Sequence, residues 1–121
     1  MYKWPSLFLA FILFSGCGKP LPVLEGIDQD AWKADRNACT GNRAEMTNAI
    51  EQQKDKLLAL DEKQIITLLG PPDKNELYTR NQKFYSYYLT PAPACGDESP
   101  DPKILEIRFN AMGLAKEINI Q

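Results

Sequence analysis

The spacing of hydrophobic positions changes along the chain, and each change marks a different kind of element. First comes an unbroken apolar run from Leu7 to Phe14. It falls well short of the roughly 20 residues that span a bilayer, so no permanent membrane helix is expected there. From Asp28 the spacing turns helical. Asp28 or Asp30 is placed to cap a first helix over residues 31–37, with Trp32 on its apolar side. Thr40-Gly41-Asn42 interrupts the pattern, Gly41 as a break and Asn42 as a new cap. A second helix is then expected from Arg43 to Leu58, with an apolar stripe of Met46, Ile50, Leu57 and Leu58. Residues 51–56 are all polar, so much of that helix should face water. The third helix is the most sharply punctuated. Asp61 caps it, Gln64 completes a capping-box arrangement, and Gly70-Pro71-Pro72 stops it. Ile65, Ile66, Leu68 and Leu69 are its expected buried face.

Beyond Pro72 the period becomes alternating. Residues 76–80 and 83–89 flank Asn81-Gln82 as a hairpin. Leu105, Ile107 and Phe109 share one side of a third strand, opposite Glu106 and Arg108. Asn110-Ala111-Met112-Gly113 supplies a turn into a last strand from Leu114 to Ile120, with Leu114, Ile118 and Ile120 on one face. Alternation with one apolar face is the pattern of an antiparallel sheet covered on one side. The expected fold class is therefore α+β, with N-terminal helices packed on one face of an antiparallel meander of three to four strands. Between the second and third strands lies Thr90 to Pro102, rich in proline and acidic residues, which is expected to be a structureless loop. Loops of that length need tethering or a function.

Composition narrows the functions open to such a domain. The chain carries 14 basic and 16 acidic residues, a net charge of −2, and has no clustered basic excess for nucleic acid. It contains no histidine, which removes the commonest general base and the commonest zinc ligand. No phosphate-binding glycine motif, CxxC or HExxH occurs. Carboxylate pairs such as Asp28/Asp30 and Asp61/Glu62 read as solvated surface. The expectation is a non-enzyme without catalytic residues, metal or cofactor.

The cysteines give the chain its context. Lys3, the apolar run and the small residues Ser15 and Gly16 form an export signal over residues 1–16. Phe14-Ser15-Gly16-Cys17 resembles the lipobox of bacterial lipoproteins, with Phe14 where that motif prefers an aliphatic residue. The resemblance implies that Cys17 is lipidated and becomes the first mature residue. Gly18 rather than an aspartate after it favours the outer membrane. Residues 17–27, with two prolines and two glycines, read as an extended tether, and residues 28–121 as a single domain. Cys39 and Cys95 then remain as an even pair in an oxidising compartment, either as a disulfide or as two buried thiols; the disulfide is the reading adopted. It would pin the proline-rich loop to the helical region.

"LDEKQIITLLGPPD", "KFYSYYL" and "LEIRFNAMGLAKEI" together resemble the SmpA/OmlA (BamE) family of small outer-membrane lipoproteins. The matching features are Leu69-Gly70-Pro71-Pro72, Tyr85-Ser86-Tyr87 and Phe109-Asn110-Ala111-Met112-Gly113, so the likeness covers about half the chain. The longer helical region from Asp28 to Leu58, the cysteine pair and the acidic loop depart from that pattern. The resemblance implies a periplasm-facing, lipid-anchored protein that binds an envelope protein partner. If Tyr85, Tyr87 and Leu89 face the helices, Phe84 and Tyr88 point outwards near Ile104 and Arg108, and these four form the candidate interaction surface. Aromatic residues with arginine are favoured at binding hot spots. The alternative is an envelope inhibitor or ligand-binding protein using the 90–102 loop, with Asp97, Glu98 and Asp101 as its acidic groups. A structural spacer is a third reading.

Overall fold

The computed structural model describes residues 19–96 and 101–121. The export segment, Cys17, Gly18, Asp97 and Glu98 lie outside the described residues. The architecture is α+β, with short helices preceding a four-stranded antiparallel sheet and packed against one face of it. Among the described residues no helix is long and apolar enough to cross a membrane.

Helix α1 spans Gln29–Ala34 and is capped as expected by Asp28, whose carboxylate accepts from the Ala31 N–H at 3.1 Å. Its Trp32 is fully buried. A 3-10 turn, Arg36–Ala38, follows. The second helix is not continuous. It is divided into α2, Asn42–Glu45, α3, Thr47–Gln53, and a 3-10 turn, Lys54–Leu57. Gly41, left-handed at φ 87°, precedes α2, and Asn42 is helical rather than capping. The all-polar stretch from Glu51 to Lys56 has no apolar face to hold a straight helix on the core. Breaking there brings Leu57 and Leu60 inward and lets the Ala59 N–H donate to Ala115 O at 2.8 Å.

Helix α4, Glu62–Leu69, has both halves of the capping box between Asp61 and Gln64. Ile65, Leu68 and Leu69 are buried, but Ile66 is 38 % exposed, since the helix is only half-covered. Gly70 ends it at φ 78°, ψ −179°, a region other residues avoid. A Cβ there would also stand 3.0 Å from Lys33 Cγ of α1.

The strands are β1, Lys74–Tyr78; β2, Gln82–Tyr88; β3, Ile104–Phe109; and β4, Ala115–Ile120, hydrogen-bonded in the order β1-β2-β3-β4. The hairpin pairs Tyr78 with Gln82, so the turn is Thr79-Arg80-Asn81 rather than Asn81-Gln82. Arg80 and Asn81 take φ of 64° and 60°, and two successive left-handed residues shift the turn back by one or two positions. In the last hairpin the register slips between Arg108 and Phe109: Phe109 faces Ala115 while Arg108 faces Glu117. That bulge inverts the alternation. Ala115, not Leu114, is therefore buried with Ile118, and Leu114 forms a bridge to Asp61.

Tyr85, Tyr87, Leu89, Leu105, Ile107 and Phe109 meet Trp32, Ile50, Leu57, Leu60, Ile65, Leu68 and Leu69 in one core. The segment read as a tether joins it. Leu24 is buried in the core and Ile27 packs on it. Residues 19–25 lie antiparallel to residues 53–58. Lys19 Nζ donates to Lys56 O at 2.8 Å and to Leu58 O at 3.0 Å, and Lys56 Nζ donates to Val23 O at 3.0 Å. Gln53 and Glu25 bond each other in both directions, side chain to main chain. Proline keeps this stretch extended, yet Leu24 and Ile27 give it enough apolar area to dock.

Candidate functional site

The outer face of the sheet divides into an open end and a covered end. Register places Phe84 opposite Arg108 and Tyr88 opposite Ile104. All four candidate residues thus share the outward face, as alternation required. Their surroundings differ. Phe84 is half-buried and meets Tyr78 edge to face, the ring centres 4.6 Å apart. Tyr78 is largely exposed, and its hydroxyl donates to Glu76 Oε2 at 2.9 Å, which raises the phenol above its ordinary range. Arg108 Nε pairs with Glu117 at 3.0 Å on the neighbouring strand. Glu117 is held below the usual carboxylate range first by its bond from Asn119 and then by that from Arg108.

Tyr88 corrects the expected surface: it is only 6 % exposed. It clusters with Ala38 and Ala92, and Cys95 and Ile104 pack against them. The cover is the proline-rich loop. Cys39 and Cys95 are bonded, with Cα atoms 5.4 Å apart, within the ordinary disulfide span. Pro93–Cys95 forms a 3-10 turn, and the Ala92 N–H donates to Asn37 O at 3.0 Å. The described part of the loop is thus ordered over Tyr88. Asp101, at its far end, is exposed.

On the other side of β1, Leu77 is 70 % exposed and Met112 is also open to solvent. With Glu62, Lys83, Asn81 and Asn110 they line a cleft of about 380 Å³ beyond the start of α4. Glu62 organises its floor, accepting from Tyr85 Oη at 2.7 Å and Lys83 Nζ at 3.2 Å. Burial first, and then the bond to Glu62, push the Tyr85 phenol up to about 12.

Beneath the loop lies a polar centre that sequence reasoning missed. Arg43 is fully buried, and its Nη1 contacts Asp73 Oδ2 at 2.6 Å, the Asp73 side chain also being wholly shielded. Arg43 Nε donates to Trp32 O at 3.0 Å and Nη1 to Tyr88 O at 3.3 Å. The guanidinium stands 5.1 Å from the Trp32 ring centre and 5.9 Å from that of Tyr87, within cation–π range. Asp73 also accepts from the main-chain N–H groups of Asn37 at 3.1 Å and Tyr88 at 2.9 Å. Asp35 receives the N–H groups of Thr40 at 2.7 Å and Arg43 at 2.9 Å. Burial alone would raise the Asp35 carboxyl, but those two N–H bonds and the Arg43 charge hold it below the usual carboxylate range. This network joins α1, α2, the β1 approach and β2. Its members fix the fold around the disulfide, and a cleft of about 390 Å³ opens beside it between Asn37, Asp73, Tyr88 and Pro93.

Among the described residues no group of three or more acidic or cysteine side chains is placed to hold a metal. In comparison with known proteins, the chain matches no family model, no curated protein and no solved structure.

Proposed function

We propose that this protein is a lipid-anchored envelope lipoprotein that acts as a non-catalytic protein-interaction module. The observation that carries the interaction reading is the edge strand β1. Its five residues are all exposed, and Leu77 and Tyr78 present apolar side chains on its two opposite faces. Tyr78 is braced against Phe84, and the Leu77 side opens on the cleft beside Lys83. A strand edge that is unpaired among the described residues and carries apolar side chains is suited to adding a strand from a partner. The export segment and the lipobox-like Phe14-Ser15-Gly16-Cys17 support the anchor and an outer-membrane location, and the resemblance to the SmpA/OmlA (BamE) pattern supports a role in outer-membrane assembly or maintenance.

Photo-cross-linking side chains placed at positions 77 and 78 in living cells test the module. The expected result is one discrete adduct from both positions and none from position 51 on exposed α3. Equal, diffuse labelling from all three would overturn the reading. The anchor has its own test: Cys17→Ser should give an unprocessed or soluble exported protein, and mass spectrometry of the membrane-bound form should find Cys17 modified.

The disulfide gives one observation in favour of the inhibitor alternative, because it fastens the loop to the helical layer as a presented loop requires. Deleting residues 96–101 separates the two. Loss of all binding would favour the loop, and retained cross-linking from β1 the strand edge.

A further inference from the structure

Docking of residues 19–27 on the domain has a consequence for how an anchored molecule would sit. A free tether of that length would let the domain tumble away from the lipid. Here Lys19 is fastened to Lys56 O and Leu58 O, and its own carbonyl accepts from Gln64 Nε2 at 2.5 Å. Only two peptide links separate Cys17 from Lys19, and an extended chain covers at most ~3.6 Å per residue. The Lys19 Cα therefore stands within about 7 Å of the Cα that would carry the lipid. Along the same strap Leu21 is 48 % and Val23 is 77 % exposed, while Leu24 turns into the core. Leu21 and Val23 thus put two aliphatic side chains in water within three residues of chain.

We propose that this strap is a membrane-contact edge: Leu21 and Val23 enter the interfacial layer of the bilayer and hold the domain in one orientation. The proposal rests on the lipid anchor of Cys17. Two exposed aliphatic side chains so close to acyl chains find the apolar environment that water denies them. The Lys19 ammonium reaches main-chain carbonyls of the segment beneath and the Lys56 ammonium reaches Val23 O of the strap, so the two keep the strap docked as the lipid pulls on it.

The test supplies the anchor chemically, so its outcome does not depend on processing in the cell. The chain from Cys17 onwards, with Cys39 and Cys95 bonded to each other, has one free thiol to couple to a maleimide lipid in phosphatidylcholine vesicles. Single tryptophans at positions 21, 23 and 77 are compared with the parent, whose Trp32 is buried. With brominated lipid in the vesicles, Leu21→Trp and Val23→Trp should lose emission and shift to the blue. Leu77→Trp, on the edge strand β1, should match the same variant without vesicles. Position 21 and 23 emission unchanged by vesicles, or position 77 quenched as strongly, would overturn the proposal. An unmodified Cys17 in protein from cells would instead overturn the anchor, and the two failures are read separately.

Discussion

Replacing Arg43 with methionine isolates what the buried ion pair contributes. The aliphatic stem is kept in outline while the guanidinium is lost. Gone with it are the 2.6 Å contact to Asp73, the bonds to Trp32 O and Tyr88 O, and the charge between the Trp32 and Tyr87 rings. Asp73 would keep two main-chain N–H donors and a longer contact at 3.5 Å to Arg36, whose side chain is half-exposed. A buried carboxylate that loses its principal cation typically destabilises by ~3–5 kcal/mol. Three hydrogen bonds at ~1 kcal/mol each give the same scale. Against a total stability of ~5–15 kcal/mol that is a large fraction. Arg43→Met should therefore lower the urea midpoint strongly with the slope unchanged, read by far-ultraviolet circular dichroism with the disulfide intact. Asp73→Asn removes the stranded charge, so adding it to Arg43→Met should recover part of the loss. If Arg43→Met lies within ~0.5 kcal/mol of the parent, the pair is not structural. If the two changes are additive within ~0.3–0.5 kcal/mol, they are not coupled and the hub is misread.

Alkaline pH probes the inner face of β2. Folding raises the Tyr85 phenol to about 12 from 10.0 and pushes Tyr87 up further, chiefly by burial in both cases. The neutral phenols carry this stability, so it is complete below pH 10.0 and is lost as pH rises through about 12. Tyr85→Phe should flatten that limb of the urea-midpoint profile, and an unaltered limb would refute the assignment. Reducing Cys39–Cys95 should cost ~2–4 kcal/mol and open the loop to protease before the sheet, because the bridge holds the cover over Tyr88; cleavage that begins within β2 or β3 would count against this. Leu68→Ala and Ile107→Ala should each cost ~2–5 kcal/mol by denaturant unfolding, since both side chains are buried in the core, and parental midpoints would show the faces to be wrongly assigned.

What could be read from sequence was what local chemistry settles. The limits of α4 followed from Asp61, Gln64 and Gly70, all within a turn of the helix ends they control. Alternation sent Tyr85, Tyr87 and Leu89 inward and Phe84 and Tyr88 outward, and the cysteine count paired Cys39 with Cys95. What alternation could not show is what lies on top of a face. Tyr88 is covered by a loop held down by a bond to a cysteine 56 positions away and by the Ala92 N–H on Asn37 O. Arg43 follows Gly41-Asn42 at a break in the helical pattern, where an arginine ordinarily reaches water. It is buried because Asp73, 30 residues on, is shielded at the same point. The residues read as a tether were misjudged because proline content indicates extension and says nothing about docking. Leu24 and Ile27 carried the missing signal.

The segment beneath the strap leads to the β4 edge of the sheet, and the open strand edge is β1, which gives the two proposals a common geometry. The segment that receives the strap continues through Ala59 and Leu60, which bond to Ala115 at the start of β4. β1 is the other edge of the order β1-β2-β3-β4. Adjacent strands lie ~4.8 Å apart, so three spacings put the β1 edge ~14 Å across the sheet from β4. With the strap on the lipid, Tyr78 and Phe84 remain on the outer face for a partner to meet, while Leu77 opens on the cleft between Glu62 and the β3–β4 turn. The disulfide-held loop covers the Tyr88 and Ile104 end of the outer face and leaves the Phe84 and Arg108 end open. A partner meeting this face is therefore directed towards the β1–β2 turn, so the fold selects the docking end by covering the other.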